Sequence, residues 1–168
     1  MKEKMMEEEL RKKYRRLTQQ LIEKKMTITS MESCTSGQII SMITDTEGAS
    51  AVVKGAYVTY SNEAKVQLGV PQEILDTYSV YSEETAQAMA STCRNAFQAD
   101  IGLGITGTFG NVDPANPDAS EVGRVYFAID WNGHVTAYER KLEVQDSRYE
   151  YKLAIAQEIV EELLAFLE

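Results

Sequence analysis

Residues 27–43 read TITSMESCTSGQIISMI. The first five, TITSM, form a short, β-branched run that favours a strand. ESCTSG follows at 32–37, and the apolar stretch 38–43 reads as a helix. A strand, a turn of small hydroxyl residues with a glycine, and then a helix make the opening of an α/β unit. Outward from this stretch the alternation continues. GAS at 48–50 is a turn, and AVVKGAYVTY at 51–60 reads as a strand. Residues 62–68 have the look of a short helix, and Pro71 is placed to open another. Ser82 can N-cap the next helix, with Glu83 and Glu84 in its first turn. Ala86, Met89, Cys93 and Phe97 supply that helix with an apolar stripe. IGLGI at 101–105 is a buried strand, and RVYFAID, Asn132-Gly133 and HVTAYERKLEV make a β-hairpin around a type I′ turn. Tyr149, Leu153, Ala156, Val160, Leu163 and Leu167 define a closing amphipathic helix. The pattern predicts a three-layer α/β/α sandwich with a mixed, mainly parallel sheet and one β-hairpin.

Ahead of that stretch, Leu10, Tyr14, Leu17 and Leu21 recur at helical spacing, so residues 1–25 are expected to form an amphipathic helix. This segment carries nine basic and five acidic side chains, while the rest of the chain has a net charge of −13. The simplest reading is a solvated helix docked on an acidic body. Contact of the basic helix with nucleic acid is the alternative. With 168 residues and no repeat or linker, a single domain over 1–168 is expected. A net charge of −9 argues against a general nucleic-acid binder, whose affinity rests on neutralising phosphates. No apolar run approaches the roughly 20 residues of a membrane span, and the first residues are charged where a signal peptide is apolar. Cys34 and Cys93 form no disulfide framework or metal-ligand spacing, which fits a reducing cytoplasm. The single histidine, His134, beside the Asn-Gly turn, leaves little for histidine-dependent catalysis.

Four segments hold candidate chemistry. In the turn 32–37, backbone N–H groups at a helix start and small side chains can hold an anion, or an oxyanion beside a nucleophile; plain capping gives the same pattern. Cys34 there is either a thiol activated by the helix start or a small buried residue. Tyr60 and Lys65, in YSNEAK, are a pair able to replace histidine in proton transfer if Lys65 is buried; otherwise Lys65 is a surface lysine. The 106–123 segment is long enough to line a binding crevice or to be a disordered excursion. Arg148, in Asp146-Ser147-Arg148, either pairs with a carboxylate or reaches a ligand phosphate. No metal, Rossmann or P-loop pattern is present, so no cofactor and no metal are expected.

Taken together, ESCTSG, GASAVVKGAYVTYSNEAKVQLGV, VYSEETAQAMA, GLGITG, VGRVYFA and the DSR before the last helix, in that order, resemble the C-terminal domain of the CinA competence/damage-inducible family, also called the PncC family. The resemblance covers about residues 17–168. It implies an amidohydrolase that converts nicotinamide mononucleotide to nicotinic acid mononucleotide and ammonia, in pyridine nucleotide recycling. It also implies the stand-alone form of a domain that occurs elsewhere behind a larger N-terminal domain. By resemblance, Ser33 matches the family's nucleophile, Tyr60 and Lys65 its Tyr and Lys, and Arg148 its arginine before the last helix. Lys65 would then take the Ser33 proton directly or through Tyr60, and the turn formed by Thr35, Ser36 and Gly37 would stabilise the oxyanion. Arg148, with Thr106 and Gly107, would hold the phosphate.

Two positions depart from the family pattern. Ser36 stands where a second glycine is usual, and Thr108-Phe109-Gly110-Asn111 replaces a sequence close to Ile-Ala-Gly-Pro. Phe109 would stack on a pyridine ring or block the pocket. The alternatives are therefore an amidase acting on a different nucleotide amide, and a catalytically silent nucleotide-binding or interaction module. The expected partners are a small nucleotide substrate and a second copy of the chain, in a homo-oligomer.

Overall fold

The computed structural model describes all of residues 1–168. Its centre is a five-stranded sheet in the order β2-β1-β3-β4-β5, built from β1 (Ile28–Glu32), β2 (Tyr57–Val58), β3 (Ile101–Gly107), β4 (Arg124–Trp131) and β5 (His134–Lys141). β1 is parallel to both β2 and β3, and β4 is antiparallel to β3 and β5. Four strands thus share one direction and β4 alone opposes them. β1 and β3 lie side by side with Glu32 opposite Ile105, so both release their chains at the same sheet end.

Helices cover both faces. α1 (Lys2–Lys24), α2 (Gln38–Thr44) and α6 (Arg148–Leu167) bury Leu10, Leu17, Leu21, Ile39, Ile155 and Ile159 in one core with Ile101, Leu103 and Phe127. Full burial of one such side chain is worth about 1.5–3 kcal/mol. On the opposite face, α5 (Glu83–Phe97) lies along the sheet, with α4 (Gln72–Tyr78) beside it. α3 (Asn62–Gln67) follows β2. The seat of α5 on β3 is close. A Cβ on Gly102 would lie 2.3 Å from the Ala90 carbonyl oxygen, and one on Gly104 would lie 2.1 Å from that of Ala86.

The docked form of the first helix is the one observed. Tyr14 is fully buried and its hydroxyl donates to the Ala156 carbonyl at 2.7 Å, joining α1 to α6. Lys13–Glu161, Arg16–Glu168 and Arg11–Asp45 add surface ion pairs, each of small energetic value. Ser82 and Ser147 cap their helices, accepting from Thr85 N and Glu150 N. Asn132 (φ 49°) and Gly133 (φ 96°) both take the left-handed conformation of a type I′ turn.

One expected element is shorter than the sequence suggests. Residues 51–60 do not form one strand. A 3₁₀ turn occupies Ala49–Ala51, and only Tyr57–Val58 pairs with β1. Before that the chain swings past the start of β1, where Thr29 Oγ1 donates to the Gly55 carbonyl. Gly55 also sits against the Phe97 ring, at a spacing that leaves no room for a side chain (2.5 Å). Packing against α5 displaces the backbone there, and β-propensity is overridden.

Candidate active site

Ser33 follows β1 directly. Its N–H still donates to Ile105 O at 3.0 Å, so the sheet ladder fixes its backbone. The chain then turns through Ser36 (φ 50°) and Gly37 (φ 92°), both left-handed, before α2 begins. The turn is closed by Ser36 N donating to Ser33 O at 3.1 Å. The Cys34 and Thr35 N–H groups donate to no other protein group.

Lys65 approaches from α3. Ser61 caps that helix by accepting from Ala64 N, which orients its single long turn and puts Lys65 on the inner side. The lysine is 1% exposed. Its Nζ donates to Ser33 Oγ at 3.0 Å, to Thr59 O at 2.8 Å and to Ser61 O at 3.4 Å. Burial lowers its pKa to about 8, against a small upward pull from Cys34. Burial, reinforced by the Glu32 carboxylate, pushes the Cys34 thiol up to about 12, so it stays protonated.

Beyond Ser33 opens a cavity of about 270 Å³, whose lining includes Cys34, Tyr60, Tyr81, Gly107, Phe109 and Arg148. Arg148 donates to the Tyr60 hydroxyl at 3.0 Å and lies over the Phe109 ring, 5.3 Å from its centroid. Phe109 is buried and stacks on Tyr151 at 5.4 Å. The 108–123 loop is held from outside by Tyr81, whose hydroxyl donates to Asp113 at 2.6 Å. Asp113 in turn accepts from Asn116 and from Ala115 N.

Ser33, Tyr60, Lys65, Gly107 and Arg148 therefore lie together. Four details narrow or change the expectation. First, of the two proton routes, direct or through Tyr60, the direct contact is the one formed: the amine reaches the serine and the tyrosine bonds Arg148. Second, the start of α2 is no open anion site. Ile39 N and Ile40 N already donate to the Glu32 carboxylate at 3.0 Å each. Third, Thr35, Ser36 and Gly37 do not line the cavity: Thr35 Oγ1 is bonded to Glu32 Oε1 and Ser36 Oγ to Ser33 O. Fourth, Thr106 is buried and its hydroxyl bonds Val80 O, leaving Gly107 alone of the proposed phosphate pair on the cavity wall. Phe109 offers no free face to a ligand, since its ring is buried with Tyr151 and Arg148 packed against it.

Glu32 and Tyr81 belong to the site's framework but were not singled out from sequence. A glutamate in the last position of a strand of five buried residues is the one signal that could have marked Glu32. No three His, Cys, Asp or Glu side chains converge as metal ligands, and no helix is long and apolar enough to cross a membrane.

A family model for the CinA C-terminal domain matches residues 10–167. A CinA-like protein of Flavobacterium psychrophilum is 43% identical over 111 residues, covering 65% of this chain and 26% of that protein. One of Gemmatimonas aurantiaca is 38% identical over 133 residues, covering 79% and 30%. The chain thus spans under a third of the length of these curated relatives. Among solved structures, a competence or damage-inducible protein from Enterobacter asburiae superposes with a TM-score of 0.86 at 26% identity, over 95% of this chain and 98% of that one. The competence/damage inducible protein CihA from Agrobacterium tumefaciens gives 0.84 at 31% identity, over 95% and 96%.

Proposed function

The chain belongs to the CinA C-terminal domain family, and from that premise we propose that it is a serine amidohydrolase that deamidates nicotinamide mononucleotide to nicotinic acid mononucleotide and ammonia. The observation that carries the reading is the buried Lys65 amine 3.0 Å from Ser33 Oγ, with its pKa lowered to about 8. In the neutral form the amine has two N–H bonds and one lone pair. Thr59 O and Ser61 O accept the two N–H bonds, which turns the lone pair toward Ser33. The serine proton then passes to Lys65 as Oγ attacks the carboxamide carbon. The Cys34 amide, on the cavity wall and without a backbone acceptor, is the donor beside the oxyanion that forms. Collapse breaks the C–N bond, and Lys65 returns the proton to the departing ammonia. Water, deprotonated by the same amine, cleaves the resulting ester and restores Ser33. Arg148 is the cation available to the substrate phosphate, with Tyr60 steadying it. The same reading assigns the protein to pyridine nucleotide recycling in the cytoplasm.

A second reading, another nucleotide amide as substrate, is favoured by the 108–123 loop, whose Asp113–Pro114 stretch forms one wall of the cavity. The experiment is ammonia release from nicotinamide mononucleotide and a panel of amide-bearing nucleotides. The expected result is turnover by the wild type and none above background by Ser33→Ala. Activity retained in Ser33→Ala removes Ser33 as nucleophile, and faster turnover of another amide reassigns the substrate.

A further inference from the structure

Glu32 is fully buried, and its carboxylate accepts four hydrogen bonds, none of them from a cation. Oε1 takes Thr35 Oγ1 at 2.7 Å and Ile39 N at 3.0 Å. Oε2 takes Ser30 Oγ at 2.8 Å and Ile40 N at 3.0 Å. A buried carboxylate is costly, and its charge is tolerable only with its lone pairs filled. Capping α2 does not require one, since a Ser, Thr, Asn or Asp at position 37 would serve those N–H groups locally. The residue there is Gly37, with no side chain to offer. The cap comes instead from the residue just before Ser33.

The consequence lies in the turn between. Its two left-handed residues, one of them not glycine, give it no strong preference of its own. Glu32 grips it at three places: through its own backbone in β1, through the Thr35 hydroxyl in the middle, and through the first N–H groups of α2. The Cys34 amide on that turn has no backbone acceptor and its residue lines the cavity beside Ser33. We infer that Glu32 is a positioning residue, whose buried carboxylate locks the 33–37 turn so that the Cys34 backbone amide keeps its place at the cavity wall, beside the oxyanion forming on the carbon that Ser33 attacks. This rests on Ser33 being the nucleophile. A carboxamide cannot reproduce the arrangement, because its NH2 would face the Ile39 or the Ile40 N–H, neither of which can accept.

Thr35→Val and Ser30→Ala provide the test. Each deletes one buried hydroxyl bond to the same carboxylate, so their thermal destabilisation is expected to be similar. Only the Thr35 bond lies inside the turn. In Thr35→Val, kcat falls about 10–100-fold with KM within about twofold, while Ser30→Ala stays within about threefold of wild type in both. Amide hydrogen exchange at 33–37 accelerates about tenfold or more in Thr35→Val and Glu32→Gln and not in Ser30→Ala, a contrast that is read without any substrate. Equal kcat in the two hydroxyl variants, or unchanged exchange at 33–37 in Glu32→Gln, overturns the inference while an inactive Ser33→Ala leaves the nucleophile intact. Activity surviving in Ser33→Ala overturns both.

Discussion

β1 and β3 are parallel neighbours that end at the same level, yet their exits are built on opposite plans. After β1 the chain makes a five-residue turn braced by a buried carboxylate with four bonds. After β3 it makes the 108–123 excursion, which holds itself together by short-range bonds around Asp113 and is pinned from outside through the Tyr81 hydroxyl. The first exit presents Ser33 to Lys65; the second forms a wall of the cavity. Reaction geometry tolerates little displacement, whereas the shape of a pocket can vary without disturbing the reacting atoms. Changes at the β1 exit should therefore act on kcat, and changes at the β3 exit on KM.

The largest effect expected is at Lys65. Lys65→Met should lower kcat about a thousandfold in steady-state assays, since it removes the base while keeping the buried volume. A loss under tenfold would break the comparison by showing that the β1 exit does not carry the chemistry.

The same variant has a second consequence, read by denaturant titration. The Lys65 amine has a pKa of about 8 in the fold and near 10.5 when unfolded. Below pH 8 both states are protonated and the burial penalty is fully present. Between pH 8 and 10.5 the unfolded chain holds the extra proton, so the stability of wild type relative to Lys65→Met rises with pH, by about 3 kcal/mol in total. A gap that is flat with pH would mean that the amine is not desolvated.

Next in size is the pH dependence of the rate. Because the neutral amine is the base, kcat/KM, which reads the groups of the free enzyme, should fall about tenfold per pH unit below pH 8 and level off above it. The smallest effect is at the other exit. Tyr81→Phe removes the outside pin on Asp113 and should raise KM several-fold with kcat within about twofold. A fall in kcat matching that of Lys65→Met would erase the distinction between the exits.

The strand–helix alternation, the Ser82 and Ser147 caps and the Asn132-Gly133 turn were legible in the sequence because each depends on residues within a few positions of one another. Ser33, Tyr60, Lys65 and Arg148 were legible as residue types that suit one chemistry. Their wiring was not. Tyr60 and Arg148 are 88 positions apart, and whether the tyrosine serves the lysine or the arginine is decided by how α6 is docked. The role of Glu32 was hidden because its N–H partners lie seven and eight residues on, across a turn whose course only the folded chain defines. Residues 51–60 were misjudged because Gly55 must let the Phe97 ring in.

The bare seats of Gly102 and Gly104 reach further than the packing of α5. That helix begins two residues after Tyr81, and it rests on β3 with its carbonyls where two methyl groups would stand. A methyl at either position would wedge the helix outward and lift Tyr81, and with it the loop that Asp113 anchors. Two absent side chains in β3 thus set how closely α5, and the Tyr81 that precedes it, can sit on the sheet.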